Sequence, residues 1–117
     1  MSNFEDLQVW KRSKELAVKT ILAFEKSKNY GLKDQIIRSA ISVPSNIAEG
    51  AERKGNKEFA NFINYASGSC AELITQLMIA KEIHDLSSLL AEELIDEGRE
   101  ISKMLYGLRK SIQTKPN

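Results

Sequence analysis

Cysteine is nearly missing from this chain: Cys70 stands alone, which excludes an internal disulfide framework and any zinc site built from several cysteines. Histidine is as scarce, with His84 the single one. Two prolines and six glycines in 117 residues, with aromatics at 7%, leave too little turn punctuation for a many-stranded sandwich or barrel. No apolar run reaches the roughly 18 residues of a membrane span. The opening Met1-Ser2-Asn3-Phe4-Glu5-Asp6 is acidic rather than a basic flank to an apolar stretch, so a cytoplasmic location with no membrane partner is expected. An excess of one charge is also lacking, since 17 Lys and Arg face 16 Asp and Glu for a formal net charge of +1. What is present is 42% hydrophobic and 28% charged, the balance of one globular domain.

Breaks fall at Asn29-Tyr30-Gly31, at Gly55-Asn56 and at His84-Asp85-Leu86-Ser87-Ser88. They divide the chain into four segments of roughly 24 to 27 residues, each about 36 to 40 Å long as a helix. Leu7, Trp10, Ala17, Ile21 and Phe24 share one face of the first segment at 100° per residue. Phe59, Phe62, Ile63, Ala66, Cys70, Leu73, Leu77 and Ala80 make the stripe of the third, and Leu90, Leu94, Ile101, Leu105, Leu108 and Ile112 that of the fourth. Asn56 and Ser87 or Ser88 are the expected N-caps, while Arg109-Lys110 suits a helix C-terminus. The expected fold is an all-α, antiparallel up-down four-helix bundle over residues 1–113, with 114–117 a flexible tail.

Charge is missing locally as well. Ser39 to Ala48 holds no charged residue, and Asn61 to Thr75 holds only Glu72. A helix in a free bundle turns about half its surface to water and carries charge there. Ala60, Ser67, Ala71, Thr75 and Met78 form a second stripe on the third helix, and Ser42 and Ser45 stand on the outer side of the second. These small residues are read as a subunit interface, the alternative being an uncharged patch of wet surface. Arg38, Asn46 and Glu49 lie on the same side and are candidates for fixing its register, although Asn46 and Glu49 also suit an N-cap and a surface carboxylate beside a bend at Pro44. Pro44 removes a hydrogen bond to the Ala40 carbonyl and is expected to kink or divide the helix, with Ser39, Ser42 and Ser45 at hand for the freed groups. Gly50 adds a second local penalty in that helix.

Arg38-Ser39-Ala40, Val43-Pro44-Ser45-Asn46-Ile47-Ala48-Glu49-Gly50, Glu58-Phe59, Gly68-Ser69, Ala71-Glu72-Leu73 and Gln76-Leu77, with Phe4-Glu5-Asp6-Leu7 and Trp10, span nearly the whole chain. Together they resemble the bacterial family of proteins encoded in intervening sequences of large-subunit ribosomal RNA genes. The resemblance implies a four-helix bundle, assembly into homopentameric rings, and no established activity. It also implies kinship with the accessory variability protein of diversity-generating retroelements, a basic pentamer that works with a reverse transcriptase and nucleic acid.

Enzymatic chemistries find no support. Cys70 and His84 are 14 residues apart on one helical run, about 21 Å, far beyond nucleophile-to-base reach. Cys70 reads as a small core hydrophobe and His84 as the end of the third helix. A di-iron bundle needs two histidines. Glu92, Glu93, Asp96, Glu97 and Glu100 read as a solvated face. Gly50 and Gly55 have phosphate-loop spacing, but Asn56-Lys57 follows where Lys-Ser or Lys-Thr is required. No catalytic residue, metal or cofactor is expected. Charge is nevertheless uneven, net +4 over residues 1–57, −7 over 58–102 and +4 over 103–117. The function expected is therefore a homo-oligomeric scaffold or interaction protein, with an unidentified protein as a further partner and Val18 and Leu22 either as contact points for it or as part of the subunit interface. The alternative is binding of RNA or DNA through Lys11, Arg12, Lys19 and Lys26, then Arg53, Lys54 and Lys57, although Glu15 interrupts that stripe and no aromatics interleave it.

Overall fold

Four helices carry residues 3–115, the part of the chain that the computed structural model describes: α1 Gln8–Ala23, α2 Tyr30–Ala51, α3 Asn56–Glu82 and α4 Ser88–Gln113. Each packs against two neighbours, α1 and α3 on opposite corners, α2 and α4 on the others. This is the antiparallel bundle expected, 48 × 20 × 19 Å in extent and without a strand among the described residues. Met1, Ser2, Pro116 and Asn117, which belong to the acidic opening and the expected tail, lie outside the described residues.

The helices are less equal than the sequence suggests. α3 has 27 residues and α1 only 16. The difference arises at Phe4–Asp6, a short 3-10 turn closed by a reciprocal cap in which the Glu5 amide donates to Asn3 Oδ1 at 3.0 Å and the Asn3 amide to Asp6 Oδ2 at 3.4 Å. Leu7 is then extended and α1 begins after it. The buried face of α1 is also rotated from the expected stripe. Val9, Ser13, Leu16, Ala17, Thr20 and Phe24 face inward, whereas Leu7, Trp10 and Ile21 are half-buried at its margin. Trp10 is held there by Phe4, edge-on at 5.1 Å, and by the Lys14 ammonium 5.5 Å from its ring. Ser13 meets its hydrogen-bonding need locally, donating to the Trp10 carbonyl at 3.1 Å.

α2 runs unbroken through Pro44, whose ring is buried in the core. Gly50 has a packing reason: a Cβ there would lie 2.6 Å from Phe62 Cβ and 3.3 Å from the Phe59 carbonyl oxygen, so α2 and α3 approach to backbone distance at this point. At the next turn Gly55, φ 89°, precedes α3 without a side-chain cap, and Asn56 is the first helical residue rather than the cap. Ser87 caps α4 as expected, accepting from the Leu90 amide at 3.3 Å. His84, φ 59°, closes α3 in the left-handed region with the Asp85 amide donating to the Ala80 carbonyl at 2.9 Å. Ser27 donates to Asp85 Oδ2 at 2.7 Å and so ties the α1–α2 turn to the α3–α4 turn.

Candidate interaction surfaces

The side walls of the bundle differ sharply in chemistry. Where α1 meets α4, cations and carboxylates interleave. Arg12 makes a two-pronged ion pair with Glu97, Nε to Oε2 at 3.0 Å and Nη2 to Oε1 at 2.6 Å, and the bond to that carboxylate raises the guanidinium pKa above its ordinary value. Lys19 borders a hollow of about 280 Å³ with Glu93, Asp96, Glu97 and Glu100. Two of the four first-helix cations proposed for phosphate contact thus stand among carboxylates. The seven proposed residues do not converge either: Lys11 lies at one end of α1, Lys26 beyond its other end, and Arg53, Lys54 and Lys57 at the α2–α3 turn. Arg53 is engaged by Glu49 at 2.7 Å and stacks 5.0 Å from the Phe62 ring. The acidic cluster of α4 is more than a solvated face, because Glu92 pairs with Lys81, Glu97 with Arg12 and Glu100 with Lys103.

The α2–α3 wall is the opposite. At its centre the exposed residues are Ile41 and Ser45 on α2 and Tyr65, Gly68, Ala71, Thr75 and Ile79 on α3, with Arg38 and Glu72 the charges among them. Below them lies a hollow of about 360 Å³ between the helices, lined by Gln35, Arg38, Ser42, Ser69, Glu72 and Gln76. Ser42 and Ser69 share a hydroxyl hydrogen bond of 2.8 Å, and Asn46 Nδ2 donates to the Ser42 carbonyl and hydroxyl, both at 2.9 Å. Gln76 Oε1 is buried without a partner, and neither Arg38 nor Glu72 has an ion-pair partner among the described residues. Of the nine residues read as an oligomer surface, Arg38, Ser45, Glu49, Ala71 and Thr75 are exposed and Ser42, Asn46 and Ser67 half-buried. Ala60 is a correction: it is 5% exposed and belongs to the core of its own chain, because α3 turns that position inward beside Ile63. Asn46 is mid-helix and hydrogen-bonded to Ser42, so it caps nothing, and Glu49 is committed to Arg53.

Cys70 and His84 are placed as the sequence suggests. The Cys70 thiol is fully buried and donates to the Gly98 carbonyl at 3.2 Å, and burial pushes its pKa up to about 11, so at neutral pH it is a thiol and not a nucleophilic thiolate. His84 is exposed in the α3–α4 turn. Among the described residues no three His, Cys, Asp or Glu side chains gather in a way that could hold a metal ion, and no helix is long and apolar enough to cross a membrane. Val18 and Leu22 are exposed on α1, but they stand among Lys14, Glu15, Lys19 and Glu25.

Comparison with known proteins places this bundle. The sequence pattern of the 23S rRNA-intervening sequence protein family matches residues 5–107. A solved structure from Bacteroides thetaiotaomicron, a protein of unknown function from the S23 ribosomal protein family, superposes with a TM-score of 0.84 at 24% identity, covering 87% of this chain and 98% of that one. That likeness establishes the fold. A comparison with curated proteins gives no match.

Proposed function

This chain belongs to the 23S rRNA-intervening sequence protein family, and from that premise we propose that it is a non-catalytic scaffold that assembles with further copies of itself through the α2–α3 wall. The observation that carries this reading is the charge-poor centre of that wall, with Ile41, Tyr65 and Ile79 each 45% exposed or more. A wall bathed in water has no reason to hold only one charge, Glu72, from Asn61 to Ile79, whereas a wall that meets another chain loses stability for every unpaired ion it buries. The occupant is a second copy because the wall carries complementary groups of its own. Arg38 and Glu72 offer opposite charges from one hollow, and Gln76 Oε1 is an acceptor in want of a donor. Five copies in a ring is the number that the resemblance implies.

Sedimentation velocity on Ile41→Lys and Ile79→Lys tests the assignment. Charge buried in the interface dissociates the assembly to a folded 13.2 kDa chain. If both variants sediment as the wild type does, the α2–α3 wall is not the contact surface.

A further inference from the structure

The groove between the last half of α4 and the first half of α3 collects positive charge of which, among the described residues, only Lys103 has a carboxylate partner, Glu100 at 3.4 Å. From Ile101 to Lys115 the chain has Lys103, Arg109, Lys110 and Lys115 and no carboxylate, and from Phe59 to Ala71 the facing helix has no charge at all. Lys57 and Arg99 extend the row at its two ends. The groove holds two hollows, one of about 430 Å³ with Lys57, Asn61, Gln113 and Lys115 on its walls, the other of about 390 Å³ with Arg99, Ser102, Lys103 and Tyr106. Between them sits Arg109. Its Nη1 donates to Asn64 Oδ1 at 2.9 Å, an uncharged amide, and its Nε is buried with no acceptor at all. A guanidinium half-withdrawn from water with no carboxylate partner keeps its charge for an anion from outside.

Tyr106, 55% exposed, adds the second element. The Arg109 guanidinium and the Lys110 ammonium lie 5.4 and 5.5 Å from its ring, so an aromatic platform stands directly beside two cations. That pairing matches a base stacked on the ring with its phosphates on the flanking charges. From Arg99 to Gln113 the groove runs about 20 Å, room for about four nucleotides of an unpaired strand and the low end of single-strand site sizes. Packed helices stand only about 8–10 Å apart, too close for their groove to take in a duplex. Asn61, Gln113 and Ser102 supply amide and hydroxyl groups that can exchange hydrogen bonds with a 2′-hydroxyl, which DNA lacks.

The geometry points to the α3–α4 groove as a binding site for single-stranded RNA. It lies apart from the first-helix stripe, shares only Lys57 with the seven cations singled out from the sequence, and does not depend on assembly through α2–α3.

Fluorescence anisotropy with a labelled 12-nucleotide RNA of mixed sequence tests it. Wild-type affinity is expected to fall about 50-fold between 50 and 200 mM salt, as release of counterions from about four phosphates requires. Lys103→Glu with Lys110→Glu, both on exposed side chains, lowers affinity at least tenfold, and Tyr106→Leu lowers it about fivefold or more. Lys14→Glu with Lys19→Glu on α1 leaves it within about twofold. A DNA strand of the same sequence binds more weakly than the RNA. Circular dichroism checks that each variant is folded, and Lys110→Gln replaces the double reversal if that one is not. The proposal is overturned if wild type does not bind at 50 mM salt, if the groove variants lose less than threefold, if the α1 pair loses as much as they do, if DNA binds as well, or if poly-glutamate displaces the RNA at equal charge concentration.

Discussion

Two walls of one bundle follow opposite rules. The α1–α4 wall is dense in charge and pairs it internally: Arg12 with Glu97 across the seam, Lys19 among four α4 residues of which three are glutamates and one an aspartate. The α2–α3 wall carries only Arg38 and Glu72 at its middle, placing Ile41, Tyr65 and Ile79 outward over a polar hollow. The α2–α3 seam is the most extensive contact between two helices of the bundle and the α1–α4 seam the least, yet what sets their outer faces apart is chemistry as well as extent. On the proposed assembly, what differs is the medium each wall meets. Ions that face water keep a helix soluble at little cost, whereas ions that face another protein must be paired or they destabilise the contact.

The sharpest way to break this contrast is to put the same charge on both walls. Ile79→Glu is expected to abolish assembly, while Leu22→Glu on α1, at a residue 61% exposed, leaves the mass of the particle unchanged; light scattering of the two variants side by side reads the outcome. Next in size is the seam under the contact wall. Gly50→Ala adds a Cβ where Phe62 Cβ would be 2.6 Å away, and overpacking of this kind is expected to destabilise the fold by about 1–3 kcal/mol despite the better helix propensity of alanine, as measured by urea unfolding.

Cys70 offers a comparison in pH. Its pKa is raised to about 11 in the fold from 9.0 in the free side chain, so the folded state holds a proton that the unfolded chain has released between those values. The sign follows: this contribution is fully present below about pH 9 and is lost as pH rises toward 11, about 2–3 kcal/mol in all. Unfolding of wild type and Cys70→Ala from pH 8 to 11 checks it, with a shallower fall expected in the variant. The smallest effect belongs to the charged wall. Glu97→Gln removes the partner of a half-exposed Arg12 and is expected to cost about 0.5–1 kcal/mol, with the difference shrinking at high salt.

Much of this arrangement is legible in the chain. Periodicity and sparse glycine and proline lead directly to four helices, and local absence of charge singles out α2 and α3 because burial against any partner, internal or external, removes ions from a sequence in the same way. That sameness is also the limit. Ala60 falls on a small-residue stripe yet faces the core, since a stripe of period 3.6 does not say which side of a helix a neighbour occupies. In α1 the eye is drawn to Trp10 and Ile21, while the close-packed seam selects the smaller Ser13 and Thr20. The α3–α4 groove is hidden for a different reason. Net charge over residues 58–102 is strongly negative, and only the fold shows that Glu93, Asp96, Glu97 and Glu100 of α4 turn toward α1 while Arg109 and Tyr106 turn toward α3.

The proposed working unit is an assembly joined through the α2–α3 wall. Light scattering of the wild-type chain at micromolar concentration tests it most directly. The account predicts a particle of several chains, about 66 kDa if five chains of 13.2 kDa form the ring, that persists on tenfold dilution. A particle of 13.2 kDa at that concentration contradicts it.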